Sequence, residues 1–357
     1  MLDELIPDKT VYDAIDFIKS HSKEIMLLLV VNIKMPENNM TVGVYDFQTE
    51  FLSDEELEDF IRVLDELEIY RDLSYGEDAF LKKITSGYFN QFNYKYKIVY
   101  NTTGSRRIRS RSAIIPAICE LNNITYASSD IWTSSVLENK IHTFSLLRQF
   151  GFTVPDFWVY HNKYGWQNSE TPPTNLKLIT KPSNECASIG ISESSVSHYT
   201  KDYDQYIKGI SRDFNQPIIV QEFIEGWEVE VPVFDIGQPV TLATAGIMVN
   251  DKALLKDIFL TYDTVYNDTY SFYDFSNVNA ALASKLMEIA GNSFIKLDLR
   301  GTVRVDFRIS ESNKAYITDY NNSPHLTQFH SCAKVADIYG LSYSDMFCMV
   351  LFRGLVN

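Results

Sequence analysis

Cysteine, basic charge and long apolar runs are all scarce in this chain. Cys119, Cys186, Cys332 and Cys348 are its cysteines. No two sit at metal-ligand spacing, which argues against a disulfide framework and fits a reducing cytosol. Cys119 and Cys348 read as small buried hydrophobes. Against 47 Asp and Glu stand 32 Lys and Arg, a formal net charge of −15. Non-specific attraction to nucleic acid or to an anionic membrane is therefore not expected. The apolar run Ile25–Val31 is too short to span a bilayer and reads as a buried strand. The first residues, MLDELIPDKTVYDAIDF, carry acids where a signal peptide carries bases. Internal repeats and low-complexity tracts are missing as well. A cytoplasmic protein without nucleic-acid or membrane partners is the expectation.

What is present suits a well-packed enzyme-sized chain. With 357 residues, 45% hydrophobic and 13% aromatic, it can bury the cores of two or three units. Met26–Ile33 reads as a strand. Apolar residues at helical spacing (Leu57, Phe60, Ile61, Val63, Leu64, Leu67) predict a helix over 54–68, capped by Ser53 or Asp54. Tyr96–Tyr100 and Thr125–Tyr126 are short strands around the polar loop Asn101–Arg111 and a helix over 112–121. Trp132–Phe150 reads as one helix stopped by Gly151 and Pro155. Strands follow at Phe157–Tyr160, Leu176–Lys181 and Ile218–Val220, with a helix over 202–211. Strands then dominate to Phe307, apart from a helix over Val278–Phe294, and a last helix lies near Ser342–Phe352. This order predicts an α+β assembly of small lobes, divided at 1–129, 130–214 and 215–357.

The most informative stretch is Gly301–Thr327, GTVRVDFRISESNKAYITDYNNSPHLT. Val303, Val305, Phe307 and Ile309 alternate with Arg304, Asp306 and Arg308, the period of a strand with one apolar face. Ala315–Tyr320 is a second strand after a polar turn. A turn centred between Ser312 and Asn313 places Asp306 opposite Asp319 and Arg304 opposite Asn321, with side chains about 5 Å apart. Opposed carboxylates repel unless a cation lies between them. Two carboxylates and an amide oxygen are hard donors that suit Mg²⁺ with phosphate oxygens completing its shell. Arg304 would stabilise a transferring phosphoryl group. An exposed hairpin with ordinary surface charges is the bland alternative, and the spacing alone does not decide.

VRVDF…ITDYNNSP resembles the closing motif of D-alanine–D-alanine ligases and the wider ATP-grasp superfamily, with Asp319 where Glu is usual. ITKPSNECASIG (Ile179–Gly190) resembles the strand end and loop that cover ATP phosphates, with fewer glycines than usual. IIVQEFIEGWEVEVPVF (Ile218–Phe234) resembles the adenine hinge. VLENKIHTF resembles the segment that supplies a second phosphate lysine, and Ile115–Tyr126 matches a late N-terminal pattern. The resemblance implies an ATP-grasp fold of three lobes, with nucleotide between the central and C-terminal ones. It implies Lys140 and Lys181 on phosphates, Ser188 in the covering loop, and Gln221, Glu222 and Ile224 on adenine. Glu228 would bind ribose; Asp306, Asp319 and Asn321 would hold magnesium, two ions by expectation, with manganese compatible. Arg304 and Lys181 would be catalytic. Lys181 could otherwise be a solvated lysine beside a turn, and Lys140 one charge on an amphipathic helix. Glu225, Glu228 and Glu230 could form the exposed face of a strand, which is the reading adopted for Glu230.

The implied reaction joins a carboxylate to an amine, both amino-acid-type small molecules, through an acyl phosphate, with release of ADP and phosphate. The acceptor side departs from the D-Ala ligases. His325 follows Pro324 where Gly is usual, and Val265 stands where a lysine is usual. His325 and His330 either bind a distinct carboxylate, act in acid–base chemistry, or are packed histidines. Arg106, Arg107, Arg109 and Arg111 form either a solvated loop or, through Arg109 and Arg111, a clamp on the donor carboxylate. Modification of a ribosomal peptide and nucleotide-dependent regulation without turnover are the alternatives, and a homodimer is left open.

Overall fold

A computed structural model describes residues 10–35, 40–102, 104 and 108–356. Residues 1–9 of the acidic N-terminal stretch, and Arg106 and Arg107, lie outside the described residues.

Every residue of Ile25–Val31 is buried, as a run of branched and long aliphatic side chains demands in a parallel sheet covered on both faces. It pairs in parallel with Tyr70–Tyr75 on one side and Tyr96–Asn101 on the other, and Thr125–Tyr126 closes the sheet. One face carries Leu28, Val30 and Val99 against Phe80, Ile84, Ile115 and Cys119. The other carries Leu27, Leu29 and Val31 against the helices Val11–Ser20 and Asp54–Glu66. Both helices open with capping boxes, Thr10 with Asp13 and Ser53 with Glu56, so their first N–H groups have partners. The same core takes in Cys332, Val335 and Met346–Phe352 from the helices Ser331–Tyr339 and Tyr343–Phe352. The last helices thus seal the first sheet. That bent helix pair is apolar overall, and no single helix among the described residues is long and apolar enough to cross a bilayer.

Two antiparallel sheets follow. One runs Val196–His198, Lys177–Pro182, Ile218–Glu222, Phe157–His161 and Gly165–Trp166 in spatial order, packed against the helix Lys201–Phe214. The other runs Tyr270–Asp274, Ala245–Val249, Trp227–Asp235, Val303–Ile309 and Ala315–Asn321. The long helix Ser276–Lys296 packs its apolar side under this sheet.

The helix expected over Trp132–Phe150 is two helices, Ile131–Leu137 and Lys140–Gln149. Asn139 leaves helical geometry, and its side-chain oxygen accepts from the His142 N–H at 3.1 Å. A side-chain amide that competes with the backbone makes Asn a better cap than an interior residue. The Lys140 N–H donates to the Ser183 carbonyl at 2.9 Å, which pins the new helix start to the loop after Lys181. Helix Ser331–Tyr339, absent from the sequence reading, is small and apolar and lacks a side-chain cap.

Candidate active site

Asp306 pairs with Asp319, and Arg304 with Asn321, across the two last strands. The turn, however, is not the one expected. Ile309 pairs with Ala315, so the turn is centred on Ser312, and Ser310 and Lys314 close it at 3.0 Å. A regular ladder from that turn would place Asp319 opposite Val305 on the apolar face. A bulge corrects it: Asp306 pairs with Asp319 while Phe307 pairs with Ile317, leaving Thr318 as the extra residue. The Thr318 hydroxyl donates to the Asp306 carbonyl at 3.2 Å, and its own carbonyl accepts from Lys181 Nζ at 3.2 Å.

Around this pair each acid has a basic partner. Lys140 Nζ donates to both Asp319 oxygens at 2.8 and 2.7 Å. Arg304 grips Asp306 with two bonds of 2.7 and 2.8 Å and lies 3.3 Å from Glu230. Arg308 donates to Glu228 at 2.9 Å and to the carbonyls of Ile224, Lys256 and Ile258. Burial pulls the Lys181 ammonium below the usual lysine range, with Asp319 opposing and Lys140 adding to the shift. For Asp319, burial is outweighed by Lys140 and Lys181, which keep its carboxyl below the usual range. Glu230 is not an exposed strand residue, as the sequence suggested. It is 4% exposed, faces Asp306 across the strands, and burial raises its carboxyl to about 7. Alternation placed it on the face of Glu228, and that signal was misassigned to solvent.

One cavity gathers Lys140, Lys181, Ser188, Gln221, Glu222, Ile224, Glu228, Arg304, Asp306, Asp319 and Asn321. Lys181 leaves the end of a buried strand, so it is a cavity lysine and not a solvated one. Gln221 is 1% exposed, and both its amide atoms lack partners. Such a group costs about 1–3 kcal/mol, which marks it as waiting for a ligand. Glu222 and Phe223 donate their N–H groups to Asp156 and Lys177; among the described residues the Ile224 N–H donates to nothing. The Asn321 amide oxygen already accepts from the Ser323 N–H at 2.9 Å, which leaves it a second lone pair. In the covering loop Ala187 and Ser188 both take left-handed backbone, φ +49° and +53°, and Ser188 donates to the Leu260 carbonyl at 3.2 Å. Gly190 is obligatory, because a Cβ there would meet the Pro182 ring at 2.4 Å.

Neither reading of the arginine cluster, solvated loop or carboxylate clamp, describes both Arg109 and Arg111. Arg109 is exposed and away from the cavity lining. Arg111 reaches the cavity wall, but its guanidinium donates to Glu50 at 2.7 Å, to the Asn184 carbonyl at 3.1 Å and to Glu185 at 3.4 Å. Glu138 lies 3.7 Å away and binds the backbone of Arg111 and Ser112. With its fork committed, Arg111 ties the first lobe to the covering loop and has no free face for a substrate carboxylate. Its neighbours in the sequence give no hint of these acids, which come from three separate segments of the chain.

His325 and His330 line the other end of the same cavity with Lys34, Glu56, Val265 and Tyr266. Their rings stack at 4.9 Å. Burial lowers both imidazoles below the usual histidine range, helped at His330 by His325.

Residues 146–351 match the family described as D-ala D-ala ligase C-terminus. The chain is 28% identical over 262 residues to the D-alanine–D-alanine ligase of Borrelia duttonii (strain Ly), covering 70% of this chain and 68% of that one. It is 27% identical over 250 residues to the ligase of Carboxydothermus hydrogenoformans, covering 68% and 76%. Among solved structures, the D-alanine–D-alanine ligase from Bacillus anthracis overlays with a TM-score of 0.70 at 16% identity, covering 93% of this chain and 97% of that one. The same enzyme complexed with ATP gives 0.67 at 15% identity, covering 92% and 97%.

Proposed function

The chain belongs to the D-alanine–D-alanine ligase family and has the ATP-grasp fold, and we propose that this carboxylate–amine ligase forms an amide bond between two amino-acid-type substrates through an acyl phosphate. The observation that carries the reading is the opposed pair Asp306 and Asp319 in one cavity with Lys140, Lys181 and Arg304.

ATP fits the cavity on three counts. Gln221 offers an unpartnered buried amide beside the free Ile224 N–H, a match for an adenine edge. Glu228 keeps an oxygen beyond its bond to Arg308 for a ribose hydroxyl. Lys140 and Lys181 are cations at the phosphate end, borrowed here by Asp319 and the Thr318 carbonyl. Magnesium fits as well: Asp306, Asp319 and the Asn321 amide oxygen are hard donors, and the two carboxylates need positive charge between them. When bound, magnesium supplies charge against phosphate oxygens that lowers the barrier to phosphoryl transfer. With Asp306 and Asp319 turned to the metal, Lys140 and Arg304 would be free to hold phosphate oxygens. A triphosphate with divalent cations adds roughly no net charge, so the exchange keeps the cavity near balance.

The chemistry needs no covalent help from the chain. A donor carboxylate oxygen attacks the γ-phosphorus, the bond to the ADP oxygen breaks, and an acyl phosphate forms. An amine nitrogen then attacks the acyl carbon, loses a proton, and phosphate leaves. Arg304 would neutralise charge on the transferring group, and the Arg111 tie to the covering loop would help exclude water from the intermediate. Release of ADP and phosphate, measured across a panel of amino acids and amines, tests the reading. Dependence of release on both a carboxylate and an amine is the expected result. ADP release indifferent to every amine, or persisting in Asp306→Asn, refutes it.

A further inference from the structure

We propose that Glu56, His325 and His330 bind one d-block divalent cation at the acceptor end of the cavity, separate from the carboxylates of the hairpin. A carboxylate oxygen of Glu56 and a ring nitrogen of each histidine lie within 4.8 Å of one another, close enough for small side-chain shifts to bring all three onto one ion with bonds of about 2.0–2.2 Å. Two imidazoles and one carboxylate leave part of a coordination sphere open, and all three residues face the cavity. The vacant positions therefore point toward water or an acceptor carboxylate.

Each ligand is held by its own local structure. Glu56 is the third residue of its helix, and one carboxylate oxygen accepts from the Ser53 N–H at 2.7 Å. The capping bond fixes the rotamer and leaves the other oxygen free. His330 sits at the start of helix Ser331–Tyr339 without capping it. Its Nδ1 lies 2.5 Å from the hydroxyl of Thr327, a fully buried residue. With Nδ1 as donor, the lone pair of Nε2 faces outward, the arrangement by which an outer hydrogen bond orients a metal-binding imidazole. His325 has no side-chain hydrogen bond among the described residues, and its ring lies flat against His330 at 23°.

Donor chemistry separates this site from the hairpin. Imidazole nitrogen favours zinc, cobalt, nickel or iron, whereas carboxylate and amide oxygens favour magnesium. Neighbouring charges do not dominate the balance. Lys34 and Arg304 oppose a cation here, and Asp268 and Glu50 favour one. The competing description is a helix-capping glutamate beside two packed imidazoles.

The test uses the full chain and zinc as probe. Protein is dialysed against zinc in excess magnesium, its zinc content is read by mass spectrometry, and affinity is read by chelator competition. One zinc per chain is expected in the wild type. His325→Ala and His330→Ala each weaken it by about a hundredfold or more, and Thr327→Val by about tenfold. Asp306→Asn retains it. Zinc content unchanged in the His325→Ala/His330→Ala double variant, with circular dichroism preserved, overturns the proposal. So does zinc that leaves with Asp306→Asn, or a wild type that holds none. Cobalt substitution needs no variant: a visible band from nitrogen ligation is expected, and its absence in saturated wild-type protein overturns the assignment too.

Discussion

The two ends of the cavity are built on different terms. At the hairpin end, every cation has an acid within hydrogen-bonding reach or electrostatic range, and apart from Lys140, at a helix start, the groups stand on strands: Arg304, Arg308 and Asp306 on one, Asp319 on the next, Glu228 and Glu230 on a third. At the proposed acceptor end Glu56 and His330 stand at helix starts and His325 and Lys34 on loops, with Val265 and Tyr266 at the end of the short helix Tyr262–Tyr266. A triphosphate presents the same charges in every turnover, so rigid strands suit it. An acceptor varies with the reaction, and loops can change their side chains without disturbing a sheet.

The hardest blow to the hairpin end is Asp306→Asn, which keeps the shape and removes one ligand charge. ADP release should fall by about a thousandfold or more, since a metal ion supplies several kcal/mol to the transition state. Lys181→Met should cost about 10²–10³ in kcat, with the acceptor KM little changed. Retained kcat would move Lys181 out of the chemistry. Gln221→Leu should raise the ATP KM by about tenfold through a lost hydrogen bond. The nucleotide-free protein should melt no lower, because an orphaned amide has been removed, and a lower Tm would show a hidden partner. At the other end, Val265→Lys should alter the ranking of acceptors by several-fold while the ATP KM stays fixed, about 1 kcal/mol of discrimination. An unchanged ranking would show that position to be irrelevant to selectivity.

The smallest effect lies outside both ends and serves as their control. Asp345 caps its helix through Ser342 and pairs with Lys19 at 2.5 Å. Burial pushes its carboxyl up, but the bonds from Lys19 and Ser342 outweigh it and hold it below the model-compound value of 3.8. A depressed folded value means stability that is present above that value and lost as pH falls through the folded one. Asp345→Asn should therefore lower Tm at neutral pH, by about 1 kcal/mol of stability. The gap to wild type should close in acid, and activity per folded molecule should not change.

Much of this was legible in the sequence wherever one short-range rule decided. Alternation around Asp306 placed one face of the strand, and the Ser53–Glu56 spacing placed a helix start. Cys119 and Cys348 lie in buried cores as their chemistry suggests. The failures needed information from elsewhere in the chain. The facing of Asp306 and Asp319 was expected from a turn that does not form; the Thr318 bulge produces it, and no local pattern announces an extra residue. The break at Asn139 depends on Ser183, and the burial of Glu230 depends on Arg304 and the helices beyond. Arg111 looked like a substrate clamp because its three partner acids lie 61, 27 and 74 residues away.

The seal over the first sheet has a bearing on how the chain is made. Leu27, Leu29 and Val31 face the helices that end at Phe352, roughly 300 residues downstream. At about 5–20 residues per second of synthesis, that apolar sheet face waits tens of seconds for its final cover. During that interval the face has only the helices Val11–Ser20 and Asp54–Glu66 over it, and a ribosome stalled before Ser331 would leave the rest of it uncovered.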